Sequence, residues 1–183
     1  NCSISKLLER LQNHSFSFSQ PVFYINGGNR IVIDSIEEIS KPELVNYIKQ
    51  RAIDLNIAKT FCKQINYRVS GIHFNSIGFI NDSEGWELRS IAFKGATKKD
   101  ISTLSNNSTS ACLFEGFFDT LSFIQLNKTT YKENDLITLN SLSLMDKFIT
   151  ISKRYETVKL FLDNDDSGKR ATSELIGSGN TNY

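Results

Sequence analysis

The sequence is poor in cysteine and poorer in proline. Its three cysteines, Cys2, Cys62 and Cys112, are scattered and odd in number. The absence of any CxxC pair excludes a zinc knuckle and a disulfide framework, so reduced thiols are expected. With only two prolines in 183 residues, long unstructured linkers are not expected. No apolar run approaches the ~20 residues of a membrane-spanning helix. No secretory signal pattern opens the chain, so a cytoplasmic protein with no membrane partner is expected. The net charge of +1 creates no global field for a polyanion. Any nucleic-acid site must therefore come from local clusters of Lys and Arg. The two histidines, His14 and His73, have no partner at metal spacing. The chain begins without Met and trails off in Gly177-Ser178-Gly179-Asn180-Thr181-Asn182-Tyr183, so a piece of a longer protein is expected.

The chain does contain a large aromatic supply. Thirteen Phe and six Tyr within a 39% hydrophobic composition can fill a sizeable core. Ile4–Leu11 has helical spacing after Ser3, and Gln12–Gln20 reads as a loop. Ile31–Ile36 is a strand candidate. Ser40-Lys41-Pro42-Glu43 fits a capping box, with a helix from about Lys41 to Arg51. Asp54 is placed to cap a second helix through Lys63. Tyr67–Val69, Ile72–Ile80 and Trp86–Phe93 are strand-like and punctuated by Gly71, Asn81-Asp82 and Gly85, which predicts an antiparallel meander. Lys98–Asn107 is polar, and Asn106–Ser110 reads as a linker.

From Ala111 onward the pattern alternates. Strands are expected at Ala111–Phe114, Leu136–Leu139 and Val158–Leu162. Helices are expected at Phe117–Leu126, Leu142–Arg154 and Ser167–Ile176. This order implies a mostly parallel sheet flanked by helices. A boundary near residue 108 divides the chain into an α+β subdomain (1–108) and an α/β domain (109–183).

Two strand ends carry acids. Leu113-Phe114-Glu115-Gly116 is followed by Asp119, and Leu160-Phe161-Leu162-Asp163-Asn164-Asp165-Asp166 runs into Gly168. Ligands of open parallel sheets sit outside the carboxyl ends of the strands. Asp163 and Asp165 alternate onto one side of an extended backbone, whereas Asp166 does not and reads as a helix cap. Asp119 lies one turn beyond Glu115. Crowded carboxylates repel unless a cation sits between them, and hard oxygen donors in this number suit Mg²⁺ or Mn²⁺. Upstream, Arg89, Lys94, Lys98 and Lys99 cluster, and Lys169 opens the last helix where phosphate contact is possible. Phe117 and Phe118 read as core. Trp86 is ambiguous between core cover and groove wall.

The motifs LFEGFFDTLSF and LFLDNDDSGKRA resemble those of the Toprim family, shared by bacterial-type primases, topoisomerases and some nucleases. EGFFD is most similar to the primase branch, and NDSEGWELRSIAFKGATKKDIS is similar to the segment that precedes the Toprim core in primases, including those of Bacteroidetes mobile elements. The resemblance covers about Lys41 to Ile176. It implies a Toprim-type sheet preceded by a smaller α+β subdomain, with a further strand after Ile176 that little remaining chain can supply. It implies that Glu115, Asp163 and Asp165 are catalytic, that these residues with Asp119 bind Mg²⁺ or Mn²⁺, and that Arg89, Lys94, Lys99 and Lys169 contact nucleic acid or nucleotide. The implied activity is RNA primer synthesis from ribonucleoside triphosphates on single-stranded DNA, with a replicative helicase as possible partner. A Toprim nuclease and a non-catalytic nucleic-acid-binding module are the rival readings.

Overall fold

A computed structural model describes residues 31–177. The predicted helix at Ile4–Leu11 and the loop at Gln12–Gln20 lie outside the described residues.

The first unit is a meander with two helices. Strand β1 (Val32–Glu37) is followed by helices α1 (Pro42–Gln50) and α2 (Leu55–Phe61), then by β2 (Cys62–Val69), β3 (Ile72–Ile80), β4 (Trp86–Arg89) and β5 (Lys94–Ala96). These strands form one antiparallel sheet in sequence order. Pro42 in the first turn of α1 costs nothing, because its missing N–H has no helical partner there. The expected Ser40 cap is not formed. Lys41 is the capping residue, and Gln64 Oε1 accepts the Ser40 and Lys41 backbone N–H groups instead. Asp54 does cap α2, accepting from the Asn56 and Ile57 N–H groups at 2.9 and 3.2 Å. That helix stops at Phe61 rather than Lys63, and β2 starts at once. Cys62 through Val69 pairs residue for residue with β3, so the ladder overrides local helix preference.

The second unit holds β6 (Ser102–Leu104), β7 (Ser110–Phe114), α3 (Phe117–Leu126), β8 (Asp135–Thr138), α4 (Met145–Ser152), β9 (Thr157–Phe161) and α5 (Asp166–Gly177). Its sheet runs β6-β8-β7-β9, with β7 parallel to both neighbours and β6 antiparallel at one edge. The polar segment before residue 108 therefore supplies a strand of the second sheet. The helix expected over Leu142–Arg154 is split: Leu142–Leu144 is a 3₁₀ turn capped by the Ser141 hydroxyl, and the α-helix begins at Met145.

The two units share a core. Ile39, Leu44, Ile48, Ile77 and Phe79 of the first pack with Phe117, Phe118 and Leu121 of α3. Phe79 and Phe117 stack with centroids 5.3 Å apart. Burying a side chain of this size contributes roughly 1.5–3 kcal/mol, so this joint holds the meander against the carboxyl end of β7. Gln125 adds a polar tie, accepting from Asp54 N–H at 2.6 Å and donating to Ala52 O at 3.1 Å. Trp86 resolves as core cover, packed with Ile65 and Leu88. Among the described residues no helix is long and apolar enough to cross a membrane.

Candidate active site

Strands β7 and β9 run parallel in register, with Phe114 opposite Phe161. Their carboxyl ends therefore deliver Glu115 and Asp163 to the same edge of the sheet. Gly116 follows Glu115 and opens α3. Its N–H is held by Asp119 Oδ2 at 3.1 Å, the reach-back half of a capping box. This bond turns Asp119 toward the strand end. After Asp163 the chain turns into α5. Asp165, not Asp166, caps that helix: its Oδ1 accepts the Gly168 N–H at 2.8 Å, and its carbonyl accepts the Lys169 N–H. Asp166 is the first helical residue.

Gly168 sets how closely the helix approaches. A Cβ at this position would lie 1.9 Å from the Asp163 carbonyl oxygen. The DxDxxG spacing therefore seats the first turn of α5 directly on the Asp163 backbone.

A cleft of about 180 Å³ lies over these ends, lined by Arg51, Arg89, Lys94, Glu115, Gly116, Phe117, Phe118, Asp119 and Asp163. A neighbouring chamber of about 340 Å³ shares Arg89, Lys94 and Glu115 and adds Glu87, Lys99 and Asn140–Leu142. Of the expected site residues, Glu115, Asp119, Asp163, Arg89 and Lys94 line the first cleft, and Lys99 lines the chamber. Asp165 lines neither, although its charge acts on Glu115. Lys169 is exposed on α5 away from both, and Lys98 turns aside to donate to Ser83 O.

The electrostatics are those of crowded acids facing cations. Burial pushes the Glu115 carboxyl up, and the charges of Asp163 and Asp165 push it further, against a hydrogen bond from the Asp163 backbone. Burial and Asp163 likewise push Asp119 up. Desolvation and the adjacent Arg89 push the Lys94 ammonium down, while Glu115 and Asp163 oppose the shift. Arg89 is 9% exposed. It lies over the Phe117 ring at 5.6 Å and donates to Leu88 O at 2.9 Å. This support holds the guanidinium where it lines both spaces.

Glu115 Oε2 is buried and has no hydrogen-bond partner. A buried acceptor left open costs about 1–3 kcal/mol, and with the mutual repulsion of the acids it fits a site completed by a cation. Among the described residues no three His, Cys, Asp or Glu side chains enclose an ion. The residues present would fit a hard divalent ion that keeps part of its water shell rather than one enclosed by an all-protein cage.

Arg51 and Asn140 are among the lining residues that the sequence pattern did not single out. Arg51 is the residue after α1 and reaches the cleft over the Phe118 ring at 5.0 Å. Only the α1–α3 packing brings it there, so no local signal marks it. Asn140 stands beyond β8 with a left-handed φ of 61°. Its place just past the carboxyl end of a parallel strand is the same signal that marks Glu115 and Asp163, and that signal could have found it.

Comparison with known proteins places this architecture. Residues 112–182 match the family described as Toprim-like, and residues 33–98 match a domain of unknown function, DUF8464. No curated protein sequence matches the chain. The crystal structure of the primase fragment of the bacteriophage T7 primase-helicase protein is similar with a TM-score of 0.53 at 17% identity, over 70% of this chain and 59% of that one. The primase domains in a complex of bacteriophage T7 lagging-strand DNA polymerase with an RNA/DNA hybrid and dTTP are similar with a TM-score of 0.51 at 16% identity, over 70% of this chain and 71% of that one. Residues 112–182 are thus similar to the Toprim-like family, and the fold over 70% of the chain resembles that of the T7 primase fragment. The chain spans 59% of the length of the T7 primase fragment.

Proposed function

We propose that this chain is the catalytic core of a primase-type nucleotidyltransferase that joins ribonucleotides on single-stranded DNA. The observation that carries the reading is the placing of Glu115 and Asp163 at adjacent parallel strand ends, in one cleft with Arg51, Arg89 and Lys94. The cations of the cleft would take phosphate oxygens, and its carboxylates the divalent ion that accompanies them. Glu115, Asp119, Asp163 and Asp165 would hold Mg²⁺ or Mn²⁺. Bound there, the ion neutralises the triphosphate and lowers the pKa of the primer 3′-hydroxyl. Lys94 and Arg89 orient the incoming triphosphate, with Lys99 behind them. Glu115, at the end of β7 beside Asp163, is placed to take up the proton of the attacking hydroxyl. The bond from the 3′-oxygen to the α-phosphorus forms, the bond to the β-phosphate oxygen breaks, and pyrophosphate leaves. The T7 relative is a primase-helicase protein, which supports a replicative helicase as partner. Replication of a mobile element or plasmid in the cytoplasm is the corresponding setting.

The test is template-directed ribonucleotide incorporation with Mg²⁺ or Mn²⁺. Synthesis is expected to disappear in Asp163→Asn and to persist in Lys169→Ala, whose side chain lies outside the cleft. Unchanged synthesis in Asp163→Asn overturns the proposal. Metal-dependent cleavage of single-stranded DNA without incorporation replaces it with the nuclease reading.

A further inference from the structure

The meander sheet is apolar on both faces, and the described helices cover only one of them. On the inner face, α1 and α2 bring Leu44, Ile48 and Ala58 against Cys62, Ile77 and Phe79. That face also carries Arg89, paired with Ile77, into the cleft. Side chains alternate along each strand, so the residues between these point outward. There Ile65, Tyr67, Val69 and Leu88 form a separate cluster, with Trp86 and Phe93 packed against it.

Around that cluster the outward face is open. Ile36 pairs with Ile65, Ile72 with Val69 and Phe74 with Tyr67, so all three share it. They are 49%, 62% and 43% exposed. Phe74 stacks on Tyr67 with centroids 5.8 Å apart, which joins the open residues to the buried ones. An antiparallel sheet with one face in water alternates apolar with polar residues. This sheet instead places aliphatic and aromatic carbon on its open side, the mark of an interaction surface.

The chain itself offers the occupant. Residues 1–30, outside the described residues, lead into β1, the edge strand of this sheet. Ile31, at the junction, packs against the outward cluster, so the segment starts beside the open face. From β1 to β5 the sheet is about 19 Å across, a distance that 30 residues can span several times over. Ile4, Leu7, Leu8 and Leu11 recur at the spacing of one apolar helix stripe, with Lys6, Glu9 and Arg10 between them. Tethered this closely, the stripe acts at an effective concentration in roughly the millimolar range, far above that of a second copy in dilute solution.

We propose that the N-terminal segment of this chain docks on the outward face of the meander sheet, its Ile4, Leu7, Leu8 and Leu11 stripe covering Ile36, Ile72 and Phe74. Arg89 belongs to the opposite face, so docking closes the back of the sheet and leaves the cleft open. The inference does not depend on the primase-type reading.

The experiment is hydroxyl-radical footprinting of the full chain, read by mass spectrometry. Ile72 and Phe74 are expected to be modified about tenfold more slowly in the wild type than in a Leu7→Ser, Leu8→Ser, Leu11→Ser variant, the scale of one buried leucine. Phe161, 43% exposed on the other sheet, should react equally in both and reports an intact fold. Equal modification of Phe74 in the two proteins overturns the inference. Protection of Phe74 should persist on roughly hundredfold dilution, because a tether is insensitive to it. Protection lost on dilution assigns the face to a second copy and overturns the inference as well. The reciprocal variant, Ile72→Thr with Phe74→Thr, alters exposed positions with a residue that suits a strand. Trypsin should cut it after Lys6 and Arg10 about tenfold faster than the wild type. Unchanged cleavage there overturns the proposal even if the triple serine variant does not fold.

Discussion

Adding one methyl group at Gly168 should damage the site through the backbone alone. Gly168 lies within α5 and its φ is not left-handed, so conformation does not require glycine. Space does. The new Cβ would sit 1.9 Å from the Asp163 carbonyl oxygen and 2.8 Å from its carbonyl carbon, where ordinary contact begins at 3.4 Å. The obstacle is backbone on both sides, so no rotamer change relieves it. Either the first turn of α5 or the Asp163 turn must move by more than an ångström. Overpacking of this kind costs about 1–3 kcal/mol, and the better helix propensity of alanine returns about 0.5–1 kcal/mol. The net loss, centred on roughly 1 kcal/mol and reaching about 2.5 kcal/mol, lowers Tm by up to about 10 °C for a chain of this size. Activity should fall further than stability, because an ångström of misplacement at a reacting centre costs about a hundredfold in rate. Differential scanning calorimetry and primer synthesis on the same preparation read both. Gly177→Ala is the control: nothing lies within 4 Å of its Cβ, so it should match or exceed the wild type. Wild-type Tm and wild-type synthesis in Gly168→Ala would refute the claim that this glycine seats the helix on Asp163.

Three further outcomes are expected. Asp165→Ala removes the cap on Gly168 N–H and should cost about 0.5–2 kcal/mol in chemical denaturation, whereas Asp165→Asn keeps an acceptor and should retain stability while losing metal-dependent synthesis. Lys94→Ala should raise the nucleotide Kd at least tenfold in calorimetry, the roughly 1.5–3 kcal/mol of one charged hydrogen bond, with Tm unchanged. Burial alone would raise the Asp100 carboxyl, but bonds from Lys147, Ser83 and the Ile101 N–H outweigh it and hold the group below its ordinary value. A depressed carboxyl stabilises the fold above its unfolded value of about 3.9 and loses that contribution as pH falls through the lower folded value. Asp100→Asn should therefore be less stable than wild type at pH 7 in urea, and the gap should close in acid below the ordinary carboxylate range.

The parts of this molecule legible in its sequence are those where local pattern and tertiary demand agree. Phe117–Leu126 and Ile72–Ile80 form with their expected bounds because periodicity, glycine punctuation and burial point the same way. Cys62-Lys63-Gln64 was illegible as strand: it continues a helix-compatible run, and only the partner β3 makes it extended. Ser102–Leu104 was illegible for the opposite reason, being a three-residue edge strand in polar sequence that β8 recruits. At the site, Glu115, Asp119 and Asp163 could be read because acids at strand ends have a recognisable setting. The helix cap expected at Asp166 falls instead on Asp165, since either fits the start of a helix and only the Gly168 bond decides. Arg51 required the α1–α3 contact. Asn140 was marked only by its place just past the carboxyl end of β8.

The central claim is that the ends of β7 and β9 form a divalent-cation site for phosphoryl chemistry. Crystals soaked in Mn²⁺ and measured at its absorption edge test it most directly. The account predicts an anomalous peak between the carboxylates of Glu115 and Asp163 that vanishes in Asp163→Asn. No peak at these acids, or one that persists unchanged in Asp163→Asn, would contradict it.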